Sequence, residues 1–229
     1  MNNQPVHKSA FSIWAAWVRE PEIHRDLLVH GLGILGRRFP QVETEELVPH
    51  LHGFARGHAL LTQAVEWGNP VIGNPSKTSE IRGQQWQLVM AVAGLEIILS
   101  ALLDKEHPGI HEFQIVERCL KPLDAPPILA PKFRKNVCKD WIEEEKVLRF
   151  LFVRGNDLEI FKHWLVNGRP VEGLAQQLAL AKAFRNCTVH GALSASKCRE
   201  LGMQLALKQL PIIVKQTEEA ILEVMSGRR

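Results

Sequence analysis

Between Trp86 and Leu103 the chain is almost unbroken in apolar residues, with Leu88, Val89, Met90, Val92, Leu95, Ile97, Ile98, Leu99 and Leu102 between them. A helix that is apolar on several sides must be enclosed by other elements or by lipid. Gln87, Glu96 and Ser100 interrupt the run, which is too short and too polar for a membrane span. A helix buried inside a bundle is therefore expected, with no membrane association. Strand signals are scarce: the chain has no Tyr, few alternating runs and no Gly-rich turn between paired strands. Helical spacing instead marks residues 8–19, 22–37, 43–67, 80–104, 110–120, 135–153, 156–166, 171–190 and 195–225. The expected fold is all-α, a helical bundle with additional N-terminal helices. Ser194 is placed to cap the last helix and Pro211 to kink it.

Two breaks organise this pattern. Gly68-Asn69-Pro70-Val71-Ile72-Gly73-Asn74-Pro75 is a turn-rich loop that closes an N-terminal helical region. Pro122, Pro126, Pro127 and Pro131 fall in a stretch that cannot continue a helix and reads as an extended connector. Residues 1–75 then form a helical extension and 80–225 the main bundle, and the two can make one compact unit. A length of 229 residues fits one large or two small domains.

Composition narrows the function classes. Hydrophobic residues at 45% and charged residues at 23% exclude wholesale disorder. The four cysteines (Cys119, Cys138, Cys187 and Cys198) contain no Cys-x-x-Cys pair, and no secretory signal is visible, so a reduced cytoplasmic setting is expected. The net charge of +3 is unevenly spread. Residues 1–129 carry 11 basic and 14 acidic side chains, for −3; residues 130–229 carry 17 and 11, for +6. A basic C-terminal half suits a polyanionic partner, although an asymmetry of this size also arises without function. No phosphate-cradling Gly loop or dinucleotide fingerprint is present, which argues against NTP hydrolysis and nicotinamide chemistry.

The basic half holds Arg185-Asn186-Cys187-Thr188-Val189-His190-Gly191. Arg and His five apart lie about 140° around a straight helix, so they meet in one pocket only if the helix ends or distorts between them. Asn186 and Gly191 are residue types that favour such an end. The bare pair carries little, because Arg19/His24 and Arg25/His30 repeat it; an Asn directly after the Arg occurs only at Arg185. Upstream, Glu96 is a carboxylate in apolar surroundings, costly unless paired. Either the helix exposes it or it pairs with a cation such as Arg185.

This arrangement, Arg185-Asn186-x-x-x-His190 late in an all-α chain with a long apolar helix upstream, resembles the signature of HEPN domains (higher eukaryotes and prokaryotes nucleotide-binding). The resemblance covers residues 80–225 and implies a HEPN-like bundle of four or five helices. It further implies a metal-independent endoribonuclease of toxin–antitoxin, phage-defence or CRISPR-associated systems. The implied catalytic residues are Arg185, His190 and Asn186, with Glu96 and Thr188 supporting. Cleavage would use the RNA 2′-hydroxyl as nucleophile and leave 2′,3′-cyclic phosphate and 5′-hydroxyl ends. An imidazole such as that of His190 is the side-chain type suited to acid–base work, and the guanidinium of Arg185 to a permanent phosphate clamp. No metal or other cofactor is implied. The implied partners are RNA, a second copy forming a twofold dimer with a shared active site, and an antitoxin or defence-complex protein. One branch of the family carries a Tyr soon after the His, the target of a nucleotidyltransferase antitoxin. Here Gly191 follows and Tyr is absent, so that route does not fit.

Other readings stand beside this one. The same cleft could belong to a noncatalytic module that binds nucleotide, RNA or protein. In a purely structural scaffold, Arg185 and His190 would cap helix carbonyls. Arg25-Asp26-Leu27-Leu28-Val29-His30 is a second match to the motif, placed too near the start of the chain. His50, His52 and His58 lack the cysteines or carboxylates that would complete a metal pattern, and read as packing or surface residues. The six Trp fall at helical positions and read as core, Cys187 as filler, and Glu143-Glu144-Glu145 as a solvated helix face.

Overall fold

A computed structural model describes residues 25–43, 45–68, 70–120, 122–123, 125–131, 135–150, 153 and 155–225. The helices expected over 8–19 and at Trp14 and Trp17 lie outside the described residues. The elements are α1 (Arg25–Arg38), α2 (Val48–Glu66), α3 (Lys77–Leu103), α4 (Ile110–Cys119), α5 (Lys135–Glu143), α6 (Glu145–Phe150) and α7 (Asn156–Phe161). A π-helical turn (Lys162–Val166) extends α7 and is followed by α8 (Leu174–Val189), α9 (Ala195–Glu200) and α10 (Gln204–Met225). The protein is all-α. Among the described residues, strand-like pairing is limited to an antiparallel bridge between Ile128 and Val171.

The apolar run becomes α3, which α2, α8, α9 and α10 surround. By length and composition α3 could cross a membrane, yet half of its apolar window is buried within the bundle, as in a core helix. Ser76 starts it by accepting a hydrogen bond from the Ser79 N–H at 3.1 Å, and Asp104, at φ +52°, ends it. Trp86 departs from the core reading: it is 41% exposed, whereas Trp141 and Trp164 are buried.

The α2–α3 contact depends on two glycines. A Cβ on Gly57 would lie 2.5 Å from the Gly94 carbonyl oxygen, and one on Gly94 would lie 2.6 Å from the Gly57 oxygen. The helices thus cross backbone to backbone, which only glycine at both positions permits. Phe54 and Leu61 on α2 and Ile98 on α3 are fully buried in the same core. His58 of α2 and Lys215 of α10 both hold the fully buried Glu218, Lys215 at 2.8 Å.

Among its described residues the Pro-rich stretch is free of helix, but it does not run extended throughout, since the Ala125 N–H turns back onto the Leu123 carbonyl at 2.8 Å. Its Ile128 exchanges 3.1 Å backbone hydrogen bonds with Val171, and the Ile128 carbonyl also accepts from Trp164 Nε1 at 3.1 Å. Phe161, Trp164 and Phe184 contact edge-to-face or tilted at centroid distances of 5.4–6.5 Å, tying α7 and the π turn to α8.

Several boundaries differ from the sequence reading, among them the start of α2 at Val48 where 43 was expected and of α3 at Lys77 where 80 was expected. Glu144 interrupts 135–153, giving α5 and α6. Gly173, at φ +76°, delays α8 to Leu174. The segment 195–225 breaks at Leu201–Met203, where Gly202 takes φ +74° and the Met203 N–H closes onto the Cys198 carbonyl at 3.1 Å. A left-handed glycine stops a helix outright, whereas buried Pro211 removes one donor and is accommodated inside α10. Ser194 caps α9, accepting from the Lys197 N–H at 3.1 Å.

Candidate functional site

The last turn and a half of α8, with its C-cap His190, carries the motif. Gly191 adopts φ +76°, its N–H reaches the Thr188 carbonyl at 3.2 Å, and Leu193 N–H reaches the Cys187 carbonyl at 3.0 Å. The helix therefore ends at Gly191, as its residue type favours. It does not end or distort at Asn186, which lies inside α8. Regular helix through Val189 keeps Arg185 and His190 about 140° apart, and they do not line one pocket within the chain.

Asn186 has another task. Its Oδ1 accepts from Arg185 Nη1 at 2.7 Å, and its Nδ2 donates to Asp157 Oδ2 at 2.8 Å, linking α8 to α7. On its other side Arg185 meets Glu96: Nη2 lies 3.2 Å from Oε2. Lys182, one turn earlier, places Nζ 3.0 Å from Glu96 Oε1 and also donates to the Pro108 carbonyl. Of the two alternatives for Glu96, the structure takes the pair. Its side chain is 13% exposed, and two cations satisfy it.

These groups border an open cleft of about 420 Å³, lined by Glu96, Ser100, His107, Lys182, Arg185 and Asn186. Arg185 retains 31% exposure there, so the guanidinium is both oriented and accessible. Burial raises the Asp157 carboxyl above its ordinary range, and the Glu96 charge adds to this; the Asn186 hydrogen bond and the Lys182 and Arg185 charges oppose it. Two cations facing two carboxylates make a network that accepts an anion by exchange with Glu96 rather than from an unpaired positive patch.

His190 lies outside this cleft, exposed at the C-cap of α8, with its backbone N–H on the Asn186 carbonyl at 3.0 Å. Thr188 faces α3: its Oγ1 accepts from Gln85 Nε2 at 3.4 Å, and buried Gln85 also donates to the Leu193 carbonyl at 2.8 Å. Thr188 thus belongs to a pin that fixes the turn after His190. Cys187 is fully buried and its thiol is pushed well up by desolvation, in keeping with a packing role.

The sequence reading missed Lys182, Asp157, His107 and Gln85. Lys182 had a signal, since it sits one turn before Arg185 on neighbouring helix positions. The other three come from elements distant in the chain and have none. The remaining histidines are placed elsewhere: His50 Nδ1 donates to the Ala101 carbonyl at 3.0 Å, and His58 holds Glu218. Arg25 and His30 open α1, but their side chains lie outside the described residues. Among the described residues, no group of three or more His, Cys, Asp or Glu is arranged to hold a metal ion. Comparison of the chain with protein-family models, curated proteins and solved structures finds no match.

Proposed function

We propose that this protein is a metal-independent endoribonuclease of HEPN type, working as a twofold dimer in a defence or toxin–antitoxin setting. The observation that carries the reading is Arg185 itself. It is held by Glu96 and Asn186 at the mouth of an open cleft beside Lys182, five residues before exposed His190. Arg185 and Lys182 would hold the scissile phosphate and stabilise the charge of the pentacoordinate state. The 2′-oxygen attacks phosphorus as an imidazole takes its proton; the P–O5′ bond breaks and a second imidazole protonates the leaving oxygen. His190 would serve one role and its counterpart across the dimer axis the other.

One observation favours a second reading. Because α8 stays regular through Val189, Arg185 and His190 point to different sides of the helix within one chain. A module that binds phosphate at the cleft without cutting requires only Arg185 and Lys182. The two readings separate when wild type and His190→Ala are incubated with total RNA in EDTA and the fragment ends are examined. Cyclic-phosphate ends from wild type alone support the enzyme. Binding of RNA with no cleavage by either protein supports the module.

A further inference from the structure

A second and larger cavity, about 700 Å³, lies beyond the Arg185 cleft. Two elements line both hollows, and α7 lines one and bonds a residue of the other. On α8, Ala179 lines the large cavity and Lys182, its i+3 neighbour, lines the cleft together with Arg185. On the facing segment, Ile110 borders the first and His107 and Pro108 the second. On α7, Asn156 borders the cavity and its neighbour Asp157 bonds Asn186 at the cleft. Ala179 and Lys182 are separated by about 4.5 Å along the helix axis and about 60° around it, so the two hollows adjoin on α8.

The linings differ in character. The cleft offers Lys182 and Arg185 to a phosphate. The cavity has an apolar wall of Ile110, Ile160, Val171 and Ala179, with the carboxylates of Glu159 and Glu172 and the amide of Gln176 around it. Lys162 is already paired with Glu159 at 3.1 Å. Carboxylates repel a phosphate but accept hydrogen bonds from an exocyclic amino group, and apolar surface suits an unstacked base. The volume falls in the range of about 300–1,000 Å³ usual for small-ligand sites. The π-helical turn supplies Lys162 and His163 to this wall, and such turns recur at functional sites.

We propose that the cavity is a base subsite for single-stranded RNA, taking an amino-bearing base (adenine, cytosine or guanine) rather than uracil next to the phosphate held at Lys182 and Arg185, with Glu172 reading the amino group. This rests on the ribonuclease reading. The test measures kcat and KM on short single-stranded RNAs that place A, C, G or U at the flanking position, for wild type, Glu172→Gln and Gln176→Trp. Both residues are exposed, so neither change disturbs the core. Wild type is expected to favour A, C and G over U, which has no amino group, by about tenfold or more, and Glu172→Gln to lose that preference. Gln176→Trp, which fills the mouth, is expected to raise KM about tenfold, with the larger share of the loss in KM. RNA cleavage by wild type with no base preference, or with a preference that survives both variants, overturns the subsite and leaves the ribonuclease standing. Wild type that cleaves no RNA overturns both.

Discussion

Arg185 and Glu96 face each other at 3.2 Å across the α3–α8 contact, and Lys182 closes on the second carboxylate oxygen at 3.0 Å. The pair solves two problems at once. A carboxylate inside the most apolar helix of the chain needs a cation, and a guanidinium aimed at a substrate needs a fixed orientation.

Glu96→Gln should expose this double role. Losing a mostly buried partner is expected to cost about 1–2 kcal/mol, between the values for exposed and fully buried pairs. It also frees Arg185 and Lys182 for anions. Urea unfolding should show the loss, and titration with a short RNA should show tighter binding. Weaker binding would mean that orientation by Glu96 outweighs competition from it.

Removing the phosphate clamp or the imidazole should abolish cleavage. Arg185→Ala and His190→Ala are each expected to lower kcat/KM by about 10²–10⁴, while circular dichroism stays that of wild type. Unfolding of both variants would instead assign the two residues to the scaffold.

Gln85→Ala tests how His190 is held. The buried amide ties Leu193 and Thr188 to α3, and its loss leaves the Leu193 carbonyl short of a donor, at about 1–3 kcal/mol. Cleavage should fall through kcat, because the turn carrying His190 loosens while the Arg185 cleft is untouched. An unchanged kcat would detach Gln85 from the site.

Gly57→Ala and Gly94→Ala should each destabilise by about 3 kcal/mol, since the added methyl meets backbone that cannot step aside. Gly36→Ala on α1 meets nothing within 4 Å and should stabilise by about 0.5–1 kcal/mol. Thermal melts of the three variants give the comparison directly.

Acid should unfold the bundle partly through Glu218. Burial alone would raise its carboxyl, but the hydrogen bonds and charges of His58 and Lys215 prevail and hold it below the ordinary value. A depressed folded-state value gives stability that is complete above the unfolded value and is lost as pH falls through the folded one. Asp157, raised by burial, works with the opposite sign: its contribution is complete below the unfolded value and disappears as pH rises through the folded one. Stability measured against pH should therefore lose part of its acid slope in Glu218→Gln. In Asp157→Asn, the decline on the neutral side of the carboxylate range should vanish.

The helix content was legible because a 3.6-residue apolar period is a local property, and the capping signals at Ser194 and Gly191 are local as well. Over 195–225 two local signals compete: Pro211 stays inside α10, whereas Gly202, with its left-handed φ, breaks the segment. Arg185 and Asn186 were singled out from the sequence, but the role of Asn186 was not. A helix-ending residue and a residue that bonds across to α7 look the same in one dimension.

What the sequence by itself determined is the all-α class, the burial of the 86–103 run, the helix break at the Pro-rich connector and the candidacy of Arg185 and His190. Only the tertiary structure decided which groups meet: Glu96 with Arg185 and Lys182, Asp157 with Asn186, Gln85 with Thr188, and Gly57 with Gly94. The physical reason is range. Period, caps and turns are set within a few residues by backbone sterics and local hydrogen bonds. The partner of a buried charge, by contrast, is chosen by how whole helices pack, and no spacing along the chain records that choice.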